Sequence, residues 1–123
     1  MKLDLVGGAG KLFFTGYGEG YVTINHQRFD RSLVVLPDRL DDWRVTTFEA
    51  LTGADFEPLA GLGAEIVLLG TGRRLRFPHP SLTESLARAH VGLEVMDLFA
   101  ACRTYNILAS EGRTVAAALL LEH

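Results

Sequence analysis

The chain has a single cysteine, Cys102, so no internal disulfide can hold it together, and a reducing cytosol suits it. Long hydrophobic runs are missing too. The longest, "VAAALLL" from Val115 to Leu121, falls far short of the about 20 apolar residues a membrane helix needs and reads as a buried strand. Neither sign of charge dominates: 12 Lys and Arg against 15 Asp and Glu give a formal charge of −3, which offers nucleic acid no basic surface. The start, "MKLDLVGGAG", puts Asp4 and a glycine cluster where a secretory signal needs an apolar stretch, and it lacks the arginine and serine of a transit peptide. No cysteine pair, helix-spaced histidine pair or histidine at ligand spacing from a carboxylate occurs, so no metal is expected. Repeats, low-complexity tracts and linkers are absent as well.

What is present is globular. Apolar residues make up 48% of 123 positions and charged residues 22%, enough for one hydrophobic core. We read residues 1–120 as one domain. Leu121-Glu122-His123 reads as a vector-derived tail and is set aside from site arguments.

The first half is strand-like. "LFFTGYGEGYVTIN" gives two aromatic and β-branched runs around Gly16, Gly18 and Gly20, and "SLVVLP" a third that Pro37 ends. Asn25-His26 fits a hairpin turn, and "DRLDDWRV" reads as a polar connection. The second half alternates. Thr52 with Asp55 predicts a capped helix to about Ala60, "EIVLLG" a strand covered on both faces, and Ser81 with Glu84 a capping box after "PHP". "GLEVM" is the next strand, Asp97 the cap of a helix over Leu98 to Ser110, and "TVAAALL" the last strand. Strand, helix, strand, helix, strand predicts an α/β sheet with right-handed crossovers, which the early hairpins make mixed or supplement with a second sheet.

Cys102 poses the main chemical question. Leu98, Ala101, Cys102, Tyr105, Leu108 and Ala109 follow helical spacing on one apolar stripe, so Cys102 and Tyr105 belong to the core. A thiol there has a raised pKa and is a poor nucleophile; Arg103 is next in sequence but points about 100° away. Phe99, Arg103, Asn106 and Ser110 form a second stripe on a helix otherwise apolar nearly all round. Such a helix is mostly covered, so Arg103 needs a partner: Glu94, Asp97 or Glu111, or else an anionic or peptide-like group gripped together with Asn106.

Gly70-Thr71-Gly72 closes a buried strand but lacks the third glycine of a dinucleotide fingerprint and the Gly-Lys-Ser/Thr of a phosphate loop. If strands 65–70 and 92–96 run parallel, Gly70, Thr71, Gly72 and Arg73 meet Asp97 and the start of the last helix at one sheet edge. Backbone amides, an arginine and a helix N-terminus suit an anion, although the Asp97 carboxylate opposes one. The alternation of Arg73, Arg74 and Arg76 with Leu75 and Phe77 reads as a solvated strand face.

"LLGTG", "MDLFAACRTYNIL" followed by "EGRTVAAAL", and "SLVVLP" and "GYGEG" before them resemble a small domain family that includes mitochondrial complex I assembly factor 3, adipogenesis-associated domain proteins and uncharacterised bacterial and archaeal proteins. The resemblance runs from about Leu12 to Leu120, with "AACRTYN" beside "EGR" its most specific part. It implies a three-layer single α/β domain: a mixed central sheet, flanking helices and an additional N-terminal β element. It implies no established enzyme activity and no cofactor, and for the mitochondrial relatives a role in assembling a respiratory complex through protein contacts. The matching positions are Gly70, Thr71, Gly72, Asp97, Cys102, Arg103, Thr104, Tyr105 and Asn106, with no catalytic role to carry onto them. His26 stands where a turn glycine is usual, and without a mitochondrial targeting segment a cytoplasmic bacterial protein is expected.

The leading expectation is therefore a non-catalytic accessory domain that binds a protein partner or small ligand at an edge built from Gly70, Thr71, Gly72, Arg73, Asp97, Arg103 and Asn106. The rival is a small enzyme, thiol-dependent through Cys102 or acting on an anionic substrate in the Gly70–Gly72/Arg103 cleft. A homodimer serving as a scaffold is the third.

Overall fold

A five-stranded mixed sheet carries the molecule, and the computed structural model describes residues 10–122. The readings made on the first nine residues and on His123 lie outside the described residues. In chain order the elements are β1 (Phe14–Gly18), β2 (Tyr21–Ile24), β3 (Gln27–Phe29), β4 (Leu33–Leu36), β5 (Arg39–Asp42), α1 (Gly53–Ala60), β6 (Ile66–Gly70), α2 (Glu84–Arg88), β7 (Gly92–Met96), α3 (Leu98–Ser110) and β8 (Val115–Leu119), with short 3-10 turns at Phe48–Ala50 and Pro80–Thr83. The main sheet has the order β5-β4-β8-β6-β7; β6 runs parallel to both β7 and β8, and β4 antiparallel to β5 and β8. The first three strands form a separate antiparallel sheet, so the early hairpins both make the main sheet mixed and add a second one.

β8 shows why the layers number three. Val115, Ala117 and Leu119 face a core shared with α3 and the small sheet, while Ala116, Ala118 and Leu120 face a second core with α1 and α2. Strand side chains alternate between faces, so a central strand covered on both sides must be apolar at every position. The run of alanines lets helices approach both faces closely. At the end of β6 the fit is close: a Cβ on Gly70 would sit 2.8 Å from Leu119 Cδ2 and 3.1 Å from Ala101 Cβ, so a larger residue there would have to displace Leu119 or push against α3.

Three local expectations need correction. "DRLDDWRV" contains the edge strand β5, whose Leu40 turns into the core, and Trp43 after it is buried with its indole N–H donating to the Asp55 carbonyl at 3.3 Å. Ser81 does not cap a helix. The His79 ring accepts from the Ser81 N–H at 3.1 Å and starts a 3-10 turn, which leaves α2 only five residues. Residues 71–79 are loop rather than strand. The Thr52/Asp55 cap forms, with the Thr52 N–H and hydroxyl both donating to the Asp55 carboxylate, and Asn25-His26 makes the β2–β3 turn with φ of 47° and 70°.

Candidate functional site

The parallel pairing of β6 and β7 carries their carboxyl ends to one edge, with Gly70 opposite Met96. There the Thr71 N–H donates to the Met96 carbonyl at 2.9 Å, and the Leu98 N–H donates to the Gly72 carbonyl at 2.8 Å. The turn and the start of α3 are therefore one hydrogen-bonded unit. Gly72 sits at φ 88°, a backbone conformation that costs any β-carbon-bearing residue about 1 kcal/mol or more.

Most of the residues predicted for this edge are occupied within the fold. Gly70 is sealed by Leu119 and Ala101. Thr71 is fully buried, its hydroxyl donating to the Arg74 carbonyl at 2.6 Å and accepting from the Arg76 N–H at 3.1 Å. Asp97 caps α3 by accepting from the Ala100 N–H at 2.8 Å. Asn106 does grip a peptide group, but that group belongs to this chain: its Oδ1 accepts from the Phe14 N–H at 2.9 Å and its Nδ2 donates to the Phe14 carbonyl at 2.8 Å.

Arg103 corrects the expectation of a covered ion pair. It is exposed, and its guanidinium donates to the Tyr17 hydroxyl at 3.1 Å rather than pairing with Glu94, Asp97 or Glu111. Tyr17 in turn stacks on Phe99 with centroids 4.6 Å apart. The helix is less covered than its apolarity suggested, for Ile107 is 58% exposed. Arg73 is exposed as well and pairs with Glu19 at 2.5 Å. Glu19 belongs to the β1–β2 turn and Tyr17 to β1, so this one hairpin meets both arginines.

Beside the turn lies a cavity of about 380 Å³. Gly72, Arg73, Arg74, Arg76 and Leu98 line it, with Gly18 and Gly20 from the hairpin and the segment from Leu120 to Glu122. Of the residues predicted for the edge, Gly72 and Arg73 line it, while Gly70, Thr71, Asp97, Arg103 and Asn106 do not. Leu121 and Glu122, set aside in the sequence reading, are packed in: Leu121 is buried with its N–H donating to the Ser32 hydroxyl, and Glu122 faces Arg76. Arg76 is the residue that sequence reasoning missed. In the loop Arg76 turns inward while Leu75 and Phe77 stand 51% and 70% exposed, the reverse of a solvated strand face. Nothing in the alternation foretold that direction.

Cys102 lies 1% exposed on α3. Burial pushes its thiol up to about 12, with the nearby Arg103 charge lowering it less and Asp97 raising it. Iodoacetamide near neutral pH is expected to leave native protein unmodified and to label it once denaturant is added; rapid native labelling would overturn the assignment. The unfolded thiol ionises near 9, so stability is full below that pH and falls as pH rises toward about 12. Burial also raises the Tyr105 phenol, which adds to the same alkaline loss.

Among the described residues no helix is long and apolar enough to cross a membrane, and no group of His, Cys, Asp and Glu is placed to hold a metal. A family profile described as "Protein of unknown function (DUF498/DUF598)" matches residues 14–120. The chain is 31% identical over 111 residues to mouse (Mus musculus) NADH dehydrogenase [ubiquinone] 1 alpha subcomplex assembly factor 3, covering 89% of this chain and 60% of that protein. It thus spans about three fifths of that relative's length. A crystal structure of a protein from Bordetella parapertussis superposes with a TM-score of 0.86 at 38% identity, covering 92% of this chain and 98% of that one. The solution structure of a Bordetella pertussis protein described as an Mth938-like domain gives 0.81 at 32% identity, covering 98% and 92%.

Proposed function

The chain belongs to the DUF498/DUF598 family, and from that premise we propose that it is a non-catalytic accessory domain that holds a protein partner at the edge formed by the Gly70–Gly72 turn, the loop to Phe77 and the β1–β2 hairpin. The loop carries this reading. Leu75 and Phe77 are two of the four large apolar side chains that stand exposed among the described residues, and Arg73 and Arg74 flank them. Exposed apolar side chains set among arginines are the usual make-up of a protein-binding surface. Arg103 and Tyr17 extend the surface across the hairpin. The assembly role in the mouse relative's name, contact with another protein, is what we carry to this chain. A cytoplasmic site of action fits the lone reduced, buried thiol.

The test is site-resolved. A photo-crosslinking amino acid at position 77 should capture a partner in cells of the source organism, while one at position 57, exposed on α1, should not. Arg73→Asp with Leu75→Ser should lower the yield at position 77 about tenfold or more. Equal adducts from both positions would refute the edge. A product made only of two copies of this chain would favour the scaffold dimer instead.

A further inference from the structure

A separate cavity of about 310 Å³ opens between the β4–β5 hairpin and α1. It exists because α1 packs beside α2 and the Pro80–Thr83 turn rather than over the edge strand β5. Two hydrogen bonds tie the helix segment to the hairpin at either end. Arg39 Nη2 donates to the Leu62 carbonyl at 2.9 Å, and the Trp43 indole N–H donates to the Asp55 carbonyl at 3.3 Å. Between them the space is walled by Val34, Leu36, Leu40, Trp43 and Leu59, all buried. None of the lining residues belongs to the Gly70–Phe77 loop or the β1–β2 hairpin, so this site stands apart from the partner edge.

One polar atom of this lining is unused. The Asp55 side chain is 2% exposed, and its Oδ2 accepts from the Thr52 N–H and hydroxyl as the helix cap. Its Oδ1 accepts no hydrogen bond among the described residues. Arg44 Nη2 lies 3.1 Å away and balances the charge, but it aims no N–H at that oxygen, and its own side chain is 78% exposed. A buried acceptor left without a donor is costly. A water on Oδ1 would relieve that cost, yet the apolar walls beside it offer further waters nothing to bond. The charges at the mouth restrict what the donor can carry. Arg39 pairs with Asp38, Asp42 with Arg31 and Arg44 with Asp55, which leaves Asp41 without an ion pair among the described residues. An anion is therefore opposed, and Oδ1 needs no second cation because Arg44 already faces it.

We propose that this cavity binds a small, uncharged, fused-ring compound with a single N–H or O–H donor, its apolar body between Trp43 and Leu59 and its donor on Asp55 Oδ1. The volume of about 310 Å³ suits such a molecule. An apolar cavity of about 150 Å³ holds one benzene ring, and ligand pockets begin near about 300 Å³. A strand added along β5 fits less well. The Trp43 N–H points inward to the Ser32 carbonyl, so that of Asp42 faces the outer edge, where Asp41 Oδ1 already accepts it at 2.8 Å.

Indole is the probe, titrated into isotope-labelled protein beside indene, the same ring shape without a donor, and indole-3-carboxylate, the anion. The readouts are the Nε1–H signal of Trp43, the only tryptophan, and the Leu59 methyls. Methyls of Leu33 and Leu119, in the other core, report that the fold is intact. Indole should shift both signals saturably and bind about tenfold or more tightly than indene, since a hydrogen bond to a charged acceptor contributes on that scale. The carboxylate should give no saturable shift. Asp55→Asn keeps an oxygen for the cap and turns its NH₂ toward the cavity, so it should abolish the preference for indole over indene. Ala54→Phe fills the cavity from the helix side and should abolish binding of both; it takes the place of Asp55→Asn if that variant does not fold. The site is overturned if no probe shifts the native signals saturably, if indene binds as tightly as indole, if the carboxylate binds more tightly than either, or if a folded variant binds as the native protein does.

Discussion

Replacing Tyr105 by alanine should cost about 3–5 kcal/mol, a large part of the 5–15 kcal/mol that stabilises a domain of this size. Tyr105 is fully buried between α3 and the small sheet. Its ring meets Phe14 edge-on, with centroids 5.1 Å apart, and its hydroxyl donates to the Leu12 carbonyl at 3.0 Å. Truncation leaves a cavity where three elements converge and strands that carbonyl. Tyr105→Phe separates the two effects, since it keeps the ring and removes only the donor; it should cost about 1–2 kcal/mol. Chemical denaturation of both variants measures the difference. A loss below about 1 kcal/mol for the alanine variant would show that the small sheet is not anchored through this residue.

Asn106→Leu should lose about 2–4 kcal/mol by a different route. β1 lies at the edge of the small sheet, so one side of its backbone has no strand to pair with. The Asn106 carboxamide takes that place for a single residue, donating to and accepting from Phe14 as a neighbouring strand would. Leucine leaves both backbone groups half-buried and unpaired, each at a cost of about 1–3 kcal/mol with some relief from water. Asn106→Asp retains the acceptor for the Phe14 N–H but loses the donor, so it should fall between native and leucine. Amide exchange gives the sharper readout: the Phe14 amide should exchange faster in Asn106→Leu while amides in β6 and β8 keep their protection. Uniform acceleration throughout the chain would mean that the clamp stabilises the whole fold rather than the attachment of the small sheet.

These two residues also show where the sequence was informative about the site. The spacing of Leu98, Ala101, Cys102, Tyr105, Leu108 and Ala109 placed the thiol on a buried stripe; five of the six are buried and Leu108 is half-buried. Asp97 as cap and the parallel pairing of β6 with β7 were readable because capping and buried strands have local signatures. Asn106 was readable only as a polar residue wanting a peptide-like partner. That the partner is Phe14, 92 positions earlier, is a fact of packing. Arg103 was misjudged because apolar residues on a helix do not say which of them will be left outside, and Ile107 is. Arg76 stood in a row of arginines alternating with apolar residues, and the row implied the opposite orientation.

By itself, the sequence determined most of the periodic content: the strands β6, β7 and β8, the helices α1 and α3, that the last strand is apolar on both sides, and that the cysteine faces inward, while the edge strand β5 and the loop over 71–79 escaped it. Periodicity is a property of neighbours along the chain, and neighbours are all that a sequence displays. Tertiary structure alone decided what the polar groups do. Asn106 binds Phe14, Arg103 meets Tyr17, and Arg76 turns under its loop to receive a carboxylate, because a polar side chain leaving water takes whichever partner the fold brings within about 3 Å.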